Sequence, residues 1–439
     1  MPMPSVTSER RFLLLVLGAG LLLRLALLAL RGDGVTGFYG AGEATRVALA
    51  FARTGGIADA YYQGYGPTAH LLPLNPGMAG AMLWLFGPGS IAANFALLAW
   101  SLLQTFTAYL LLRRLAIALG MDAAAVRSGL VLLCLLPVFM PQETIDFRYW
   151  EGAAAMALAA LNLLLIVRVD ATRAAPPSLV LGAAALAALT FFVSPAAGLA
   201  LYACWGLVAL VRLGWKRATV LGGACAAALA LLIAPWMLRN AAVMGDPIPL
   251  RSNFGLELAI GNHPAALDAA DPDDVFAGRL LQIHPYHSPA ARAALRAAGG
   301  ESAYSAALGA ETRAWIAAHP IAFARLSVAH LTQFFVPRPW QFYFSGWGEA
   351  RHLRALIIGL VSLLGLAGLG LGIARGRRGY WLVGIYVALA ALPYAIVQPV
   401  PRYSYIVWPL LAFFAADAVV RARRRLHAGA APAPAPVSP

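Results

Sequence analysis

Long apolar runs, broken by short turns rich in arginine, set the pattern of this chain. A helix needs about 20 apolar residues to cross a hydrocarbon core of about 30 Å. Runs of that kind predict about ten spans, at 12–31, 89–112, 125–141, 151–168, 178–194, 197–213, 218–237, 353–374, 380–397 and 403–420. With the N-terminus inside, every inner connection is basic: Arg10-Arg11, Arg113-Arg114, Arg168 with Arg173, Arg212-Lys216-Arg217, Arg375-Arg377-Arg378 and Arg421-Arg423-Arg424-Arg425. Positive charge gathers on the cytoplasmic side, so both termini are expected there. The expected fold is an all-α polytopic membrane protein, a bundle of about ten transmembrane helices with interfacial helices over its outer face.

Two outer segments, 32–88 and 240–352, are too long for simple connections, and loops of that length are usually functional. Glu43 to Arg53 has helical spacing, with Val47, Ala50 and Phe51 on one side, and reads as an amphipathic interfacial helix. Leu71 to Phe86 is apolar but short and holds Pro73 and Pro76, so a re-entrant or interfacial helix is expected. Ser302–Ala318 and Ile321–Phe335 read as two helices broken by Pro320.

Composition agrees with a lipid solvent: 61% of the 439 residues are hydrophobic and 12% charged, against about a quarter charged in soluble domains. The net charge of +14 sits in the inner turns, so a nucleic-acid partner is excluded. Cys134, Cys204 and Cys225 lie in apolar runs and offer neither a disulfide framework nor metal-ligand spacing. The first apolar run reads as an uncleaved span rather than a signal peptide. Residues 1–425 are expected to form one domain and 426–439 a disordered Ala/Pro tail. Neither nucleotide-binding glycine fingerprint is present, which disfavours direct use of a nucleotide sugar. Gly368-Leu369-Gly370-Leu371-Gly372 reads as close helix packing.

The first outer loop runs through Gly42-Glu43-Ala44, Thr54-Gly55-Gly56, Gly66-Pro67-Thr68-Ala69-His70 and Leu72-Pro73-Leu74-Asn75-Pro76. Trp236-Met237-Leu238-Arg239-Asn240 and the stretch Leu250 to Leu258, with Gly261-Asn262, follow. His284-Pro285-Tyr286 and Gly300-Glu301-Ser302-Ala303-Tyr304 complete the series. In this order the strings resemble bacterial members of the GT-C glycosyltransferase superfamily, near the protein mannosyltransferase and aminoarabinose transferase branch. The resemblance implies an acidic catalytic residue in the first outer loop and a polyprenyl-phosphate-linked sugar as donor. It further implies transfer to an extracytoplasmic lipid, glycan or protein, in the bacterial inner membrane. The sequence departs from it at Gly42, where relatives often carry a first acid, and this leaves the base and any divalent metal ion open.

Glu43 is the candidate base, since a carboxylate within hydrogen-bond reach can take an acceptor proton; at a helix start it could equally serve the helix dipole. Pro141 to Glu151 holds Glu143, Asp146 and Arg148, a candidate rim of the substrate site or a solvated helix end. Arg251 and Arg402 are candidates for the leaving phosphate, because a guanidinium donates two parallel hydrogen bonds; Arg402 could instead snorkel to the interface. Arg24, inside a span, must face protein or water and reads as a structural partner. His70, His284 and His287 could join a carboxylate on an ion, His70 best of the three, although their spacing matches no metal signature and hydrogen bonding is the default. A transporter or lipid flippase, and a non-catalytic envelope assembly factor, are the rival readings; a clear internal repeat, which would favour transport, is missing.

Overall fold

The computed structural model describes residues 6–31, 33–173, 176–267, 272–342 and 348–429. It is 79% helical, and no strand occurs among the described residues. The chain begins with α1 (Val6–Ala29), then α2 (Glu43–Thr54) and α3 (Leu74–Phe86) in the first long loop. Next come α4 (Ile91–Ala118), α5 (Ala123–Leu135), the short α6 (Met140–Thr144), α7 (Gly152–Thr172), α8 (Pro177–Val193), α9 (Pro195–Val208) and α10 (Trp215–Met244). The second long loop carries α11 (Phe254–Gly261), α12 (Pro272–Ile283), α13 (Pro289–Ala297), α14 (Glu301–Ala318) and α15 (Pro320–Phe335). The chain returns through α16 (Arg351–Ala374), α17 (Tyr380–Ala391), the one-turn α18 (Pro401–Ser404) and α19 (Trp408–Gly429).

Seven helical stretches among the described residues are long and apolar enough to cross a membrane, so the protein is a multi-pass membrane protein. Three of the ten expected spans fall outside that set. The α8 helix has 17 residues, α17 stays short of a span even with the 3-10 turn that follows it, and α19 carries Asp417 and four arginines. Helix α10 runs on to Met244, so the second loop starts later than the expected residue 240. Residues 430–439, most of the expected tail, lie outside the described residues, and 426–429 end the last helix. The break at Pro320 is where expected.

Packing follows side-chain size. A Cβ on Gly365 would sit 2.5 Å from the Leu411 carbonyl oxygen, and one on Gly368 2.4 Å from that of Phe414. The α16 and α19 backbones therefore touch only because these positions are glycine. Arg24 is fully buried. Its Nε donates to Glu143 Oε2 at 2.9 Å, and its other nitrogens donate to the Gly20, Leu133 and Cys134 carbonyls and the Tyr109 hydroxyl. The second Glu143 oxygen accepts from Tyr405 at 2.8 Å and from Tyr109. Fully ligated, the pair joins α1, α4, α5, α6 and the turn before α19, and its two charges offset each other.

The 13-residue α3 spans about 20 Å at 1.5 Å per residue, too short to cross. It packs under α2, whose Val47 and Ala50 are buried as the spacing predicts.

Candidate active site

The two long loops meet at one end of the bundle. Glu301, at the start of α14, accepts from the Thr68 hydroxyl at 2.7 Å, the Ala69 N–H at 2.5 Å and the Ser252 hydroxyl at 2.9 Å. One buried carboxylate thus holds residues far apart in the chain. Burial pushes its pKa up against these donors. Arg239 closes the same junction by donating to the Thr68 carbonyl at 2.9 Å and to that of Ile57.

Between the loops lies a cavity of about 210 Å³. Seven of the candidate residues line it: Glu43, His70, Asp146, Arg251, His284, His287 and Arg402. Glu143 and Arg148 do not. Glu143 is consumed inside the bundle by Arg24 and the two tyrosines. Arg148 is buried, its Nε on the Thr144 carbonyl at 2.6 Å and its guanidinium over the Tyr39 ring at 5.3 Å. Burial brings its pKa down to about 10. A charge-rich string was legible in sequence, but which charges are spent on folding depends on partners from distant spans.

The structure also gives a reason for Gly42. The chain enters α2 with φ 63° and ψ −136° there, in the half of conformational space that side chains avoid and glycine tolerates. An acid at 42 would strain the turn that starts α2 with Glu43. Glu257 is a third lining carboxylate, hydrogen-bonded by the Asn253 amide at 3.1 Å, and its pKa is raised by burial. Sequence reasoning missed it as a site residue, although it lies inside the string Leu250 to Leu258; nothing local separated it from an ordinary first-turn acid.

On the cationic side, Arg402 stacks 4.3 Å from the Trp150 ring centre and 5.1 Å from that of Tyr403. Trp150 is itself pinned, donating from its indole to the Ala41 carbonyl at 2.9 Å, while Asn75 donates to its backbone oxygen at 2.9 Å. Burial works against the Arg402 charge, but Tyr403, Asp146, Glu43 and Glu151 outweigh it and hold its pKa above the ordinary value. Arg251 pairs with Glu151 at 2.6 Å. The Nε atoms of both arginines are buried without a hydrogen-bond partner. Asp146 has its pKa raised to about 6 by burial, with Arg402, Arg354 and Arg31 opposing.

Glu43, His70 and His284 each place a donor atom within 4.8 Å of the others. A tetrahedral ion with bonds of about 2.1 Å spaces its ligands about 3.4 Å apart, and Glu43 Oε1 lies 3.4 Å from His284 Nε2. Distance therefore admits a metal. The histidine tautomer opposes it. The Tyr286 N–H donates to His284 Nδ1 at 3.2 Å, so the neutral ring carries its proton on Nε2, towards Glu43. Burial, and then Arg402, bring the His284 pKa down to about 4, which keeps that ring neutral. Metal-bound histidines instead donate from the second nitrogen. As placed, His284 turns its Nε2–H side towards Glu43, 3.4 Å away, rather than a free nitrogen lone pair. His70 contacts the Tyr61 hydroxyl at 3.1 Å, and His287 lines the cavity without joining the cluster.

The helical bundle, with its long loops folded over one end, shares its fold with solved structures of a membrane oligosaccharyltransferase. The archaeal oligosaccharyltransferase AglB of Archaeoglobus fulgidus, solved with an inhibitory peptide and a dolichol-phosphate, superposes with TM-score 0.54 and 16% identity over 99% of this chain and 53% of that one. An oligosaccharyltransferase of the same organism solved with Zn and sulfate gives TM-score 0.52 and 12% identity over 95% and 49%. ArnT from Cupriavidus metallidurans bound to undecaprenyl phosphate matches at TM-score 0.35 and 15% identity over 93% and 78%. The chain thus spans about half the length of the oligosaccharyltransferase. No protein-family model and no curated protein matches the sequence.

Proposed function

We propose that this protein transfers a sugar from a polyprenyl-phosphate carrier to an acceptor hydroxyl on the outer side of a bacterial inner membrane. The observation that carries the reading is a single cavity holding carboxylates, Glu43 and Glu257, together with two arginines whose Nε atoms lack partners. The arginine loops of the opposite end, read by the positive-inside rule, support an outer-face cavity and cytoplasmic termini.

Arg402, held flat by Trp150 and Tyr403, and Arg251 bind the donor phosphate by charge-assisted hydrogen bonds. Glu43, steadied by the His284 Nε2–H, takes the acceptor proton as the acceptor oxygen bonds to the anomeric carbon. The bond from that carbon to the phosphate oxygen breaks, and its electron pair leaves with the polyprenyl phosphate. The two arginines stabilise the charge that develops there. No step runs through a metal ion.

The test is mass spectrometry of polyprenyl-linked sugars in cells with and without the gene. Deletion should cause a donor to accumulate; the wild-type gene should clear it and Glu43→Gln should not. Clearance by Glu43→Gln at wild-type level removes Glu43 from the mechanism. An unchanged lipid profile on deletion removes the donor assignment.

A further inference from the structure

A second cavity, of about 390 Å³, opens beside the first and shares Ile260, Phe276 and Gln398 with it. Its chemistry is different. The first cavity carries three acids and two arginines, whereas the only charged residue lining the second, among the described residues, is Arg338, which is exposed. The remaining polar lining is His263, His330, Gln333, Gln398 and the Trp340 indole.

Each of these groups suits a neutral polyhydroxyl ligand. His330 Nδ1 lies 3.3 Å from the Ala395 carbonyl, a contact that needs the proton on Nδ1 and leaves Nε2 as an acceptor. Burial brings both His263 and His330 down to about 4, so neither offers a cation to a phosphate at neutral pH. Gln398 donates to Gln333 Oε1 at 2.9 Å, which leaves the Gln333 amide N–H₂ to donate. Trp340 is half-buried, its ring centre 5.4 Å from that of Phe276, and it offers an apolar face beside a polar N–H.

From this lining we infer that the second cavity is the acceptor subsite and takes an uncharged sugar ring, so that the acceptor is a carbohydrate hydroxyl. The inference rests on the transferase reading above and narrows its acceptor. An aromatic wall with a few placed amides and imidazoles is the make-up of a small-molecule site that fixes orientation by hydrogen bonds. The shared residues let a ring held there reach a hydroxyl towards Glu43, while the arginines hold the donor phosphate.

The experiment uses the full chain in nanodiscs and saturation-transfer NMR with three probes: methyl glucoside, glucose 1-phosphate and a neutral capped Ala-Ser-Ala peptide. Methyl glucoside should be saturated at its ring protons in the wild type and in Glu43→Gln. The signal should fall at least fivefold in Trp340→Ala and, as a second variant at a half-buried position, in Gln333→Ala. No glycoside signal, an equal signal in both variants, or preference for the phosphate or the peptide overturns the inference. Undecaprenyl phosphate binding, followed by native mass spectrometry in the same samples, tests the donor reading separately: it should depend on Arg402 and be indifferent to Trp340. Loss of one binding event with the other intact shows which reading has failed.

Discussion

Metal binding can be decided at His284. Ligation through Nε2 moves the ring proton to Nδ1, where it faces the Tyr286 N–H that now donates to that nitrogen at 3.2 Å. Ligation through Nδ1 displaces the same N–H. Either way one hydrogen bond, worth about 0.5–1.5 kcal/mol, is lost and a part-buried N–H is left unpaired at about 1–3 kcal/mol. Together this is about 2–4 kcal/mol, a weakening of about 30–1,000-fold. Glu43 and His70 alone then make a poor site. Zinc titration by calorimetry of the protein in nanodiscs should show no submicromolar site, and His284→Gln, whose amide can still donate to Glu43, should leave the weak zinc isotherm unchanged. Donor clearance should persist with a chelator present. A submicromolar zinc site that His284→Gln abolishes would refute the tautomer argument and move Glu43 from base to ligand.

Asp146 predicts a pH dependence. With its pKa raised to about 6, it is anionic above that value and competes with phosphate for Arg402, and neutral below it. Asp146→Asn should bind undecaprenyl phosphate more tightly than the wild type at pH 7.5 and about equally at pH 5.5, as read by native mass spectrometry, the ratio cancelling the titration of the phosphate itself; an equal ratio at both pH values refutes this. Arg24→Met strands Glu143 in the bundle and should cost about 3–5 kcal/mol, while Arg24→Met with Glu143→Met should recover most of it, because replacing a buried pair is far milder than breaking it; thermal unfolding in detergent measures both. Gly368→Ala drives a methyl into the Phe414 carbonyl and should lower the unfolding midpoint, whereas Gly370→Ala, with nothing within 4 Å, should not.

The bundle was legible because burial in lipid writes itself as uninterrupted apolar runs, and the arginine turns between them order the spans. The ends were less so: α10 runs past Asn240 because nothing in Ala241–Met244 breaks a helix, and α19 carries its arginines inside the helix. Glu43, His70, Asp146, Arg251 and Arg402 could be singled out because charge is scarce in this chain. Whether a given charge faces a cavity or a distant counterion is a tertiary fact. Glu143 looked like its neighbour Asp146 until Arg24, 119 residues earlier, claimed it. Glu301 looked like a helix-start acid and proved to be the clasp between the loops. His284 was visible as one of three unpatterned histidines and within the string His284-Pro285-Tyr286, with nothing to set it beside Glu43.

That clasp has a consequence for how the molecule comes into being. Glu43 is made early in synthesis, Glu301 much later, and Arg402 almost at the end. Until residue 301 has emerged, Thr68, Ala69 and Ser252 lack the carboxylate that gathers them; until residue 402 has, the cavity lacks one of its two arginines. A partly translated chain therefore has neither the closed loop junction nor the full cavity lining, and both are complete only once residue 402 is in place.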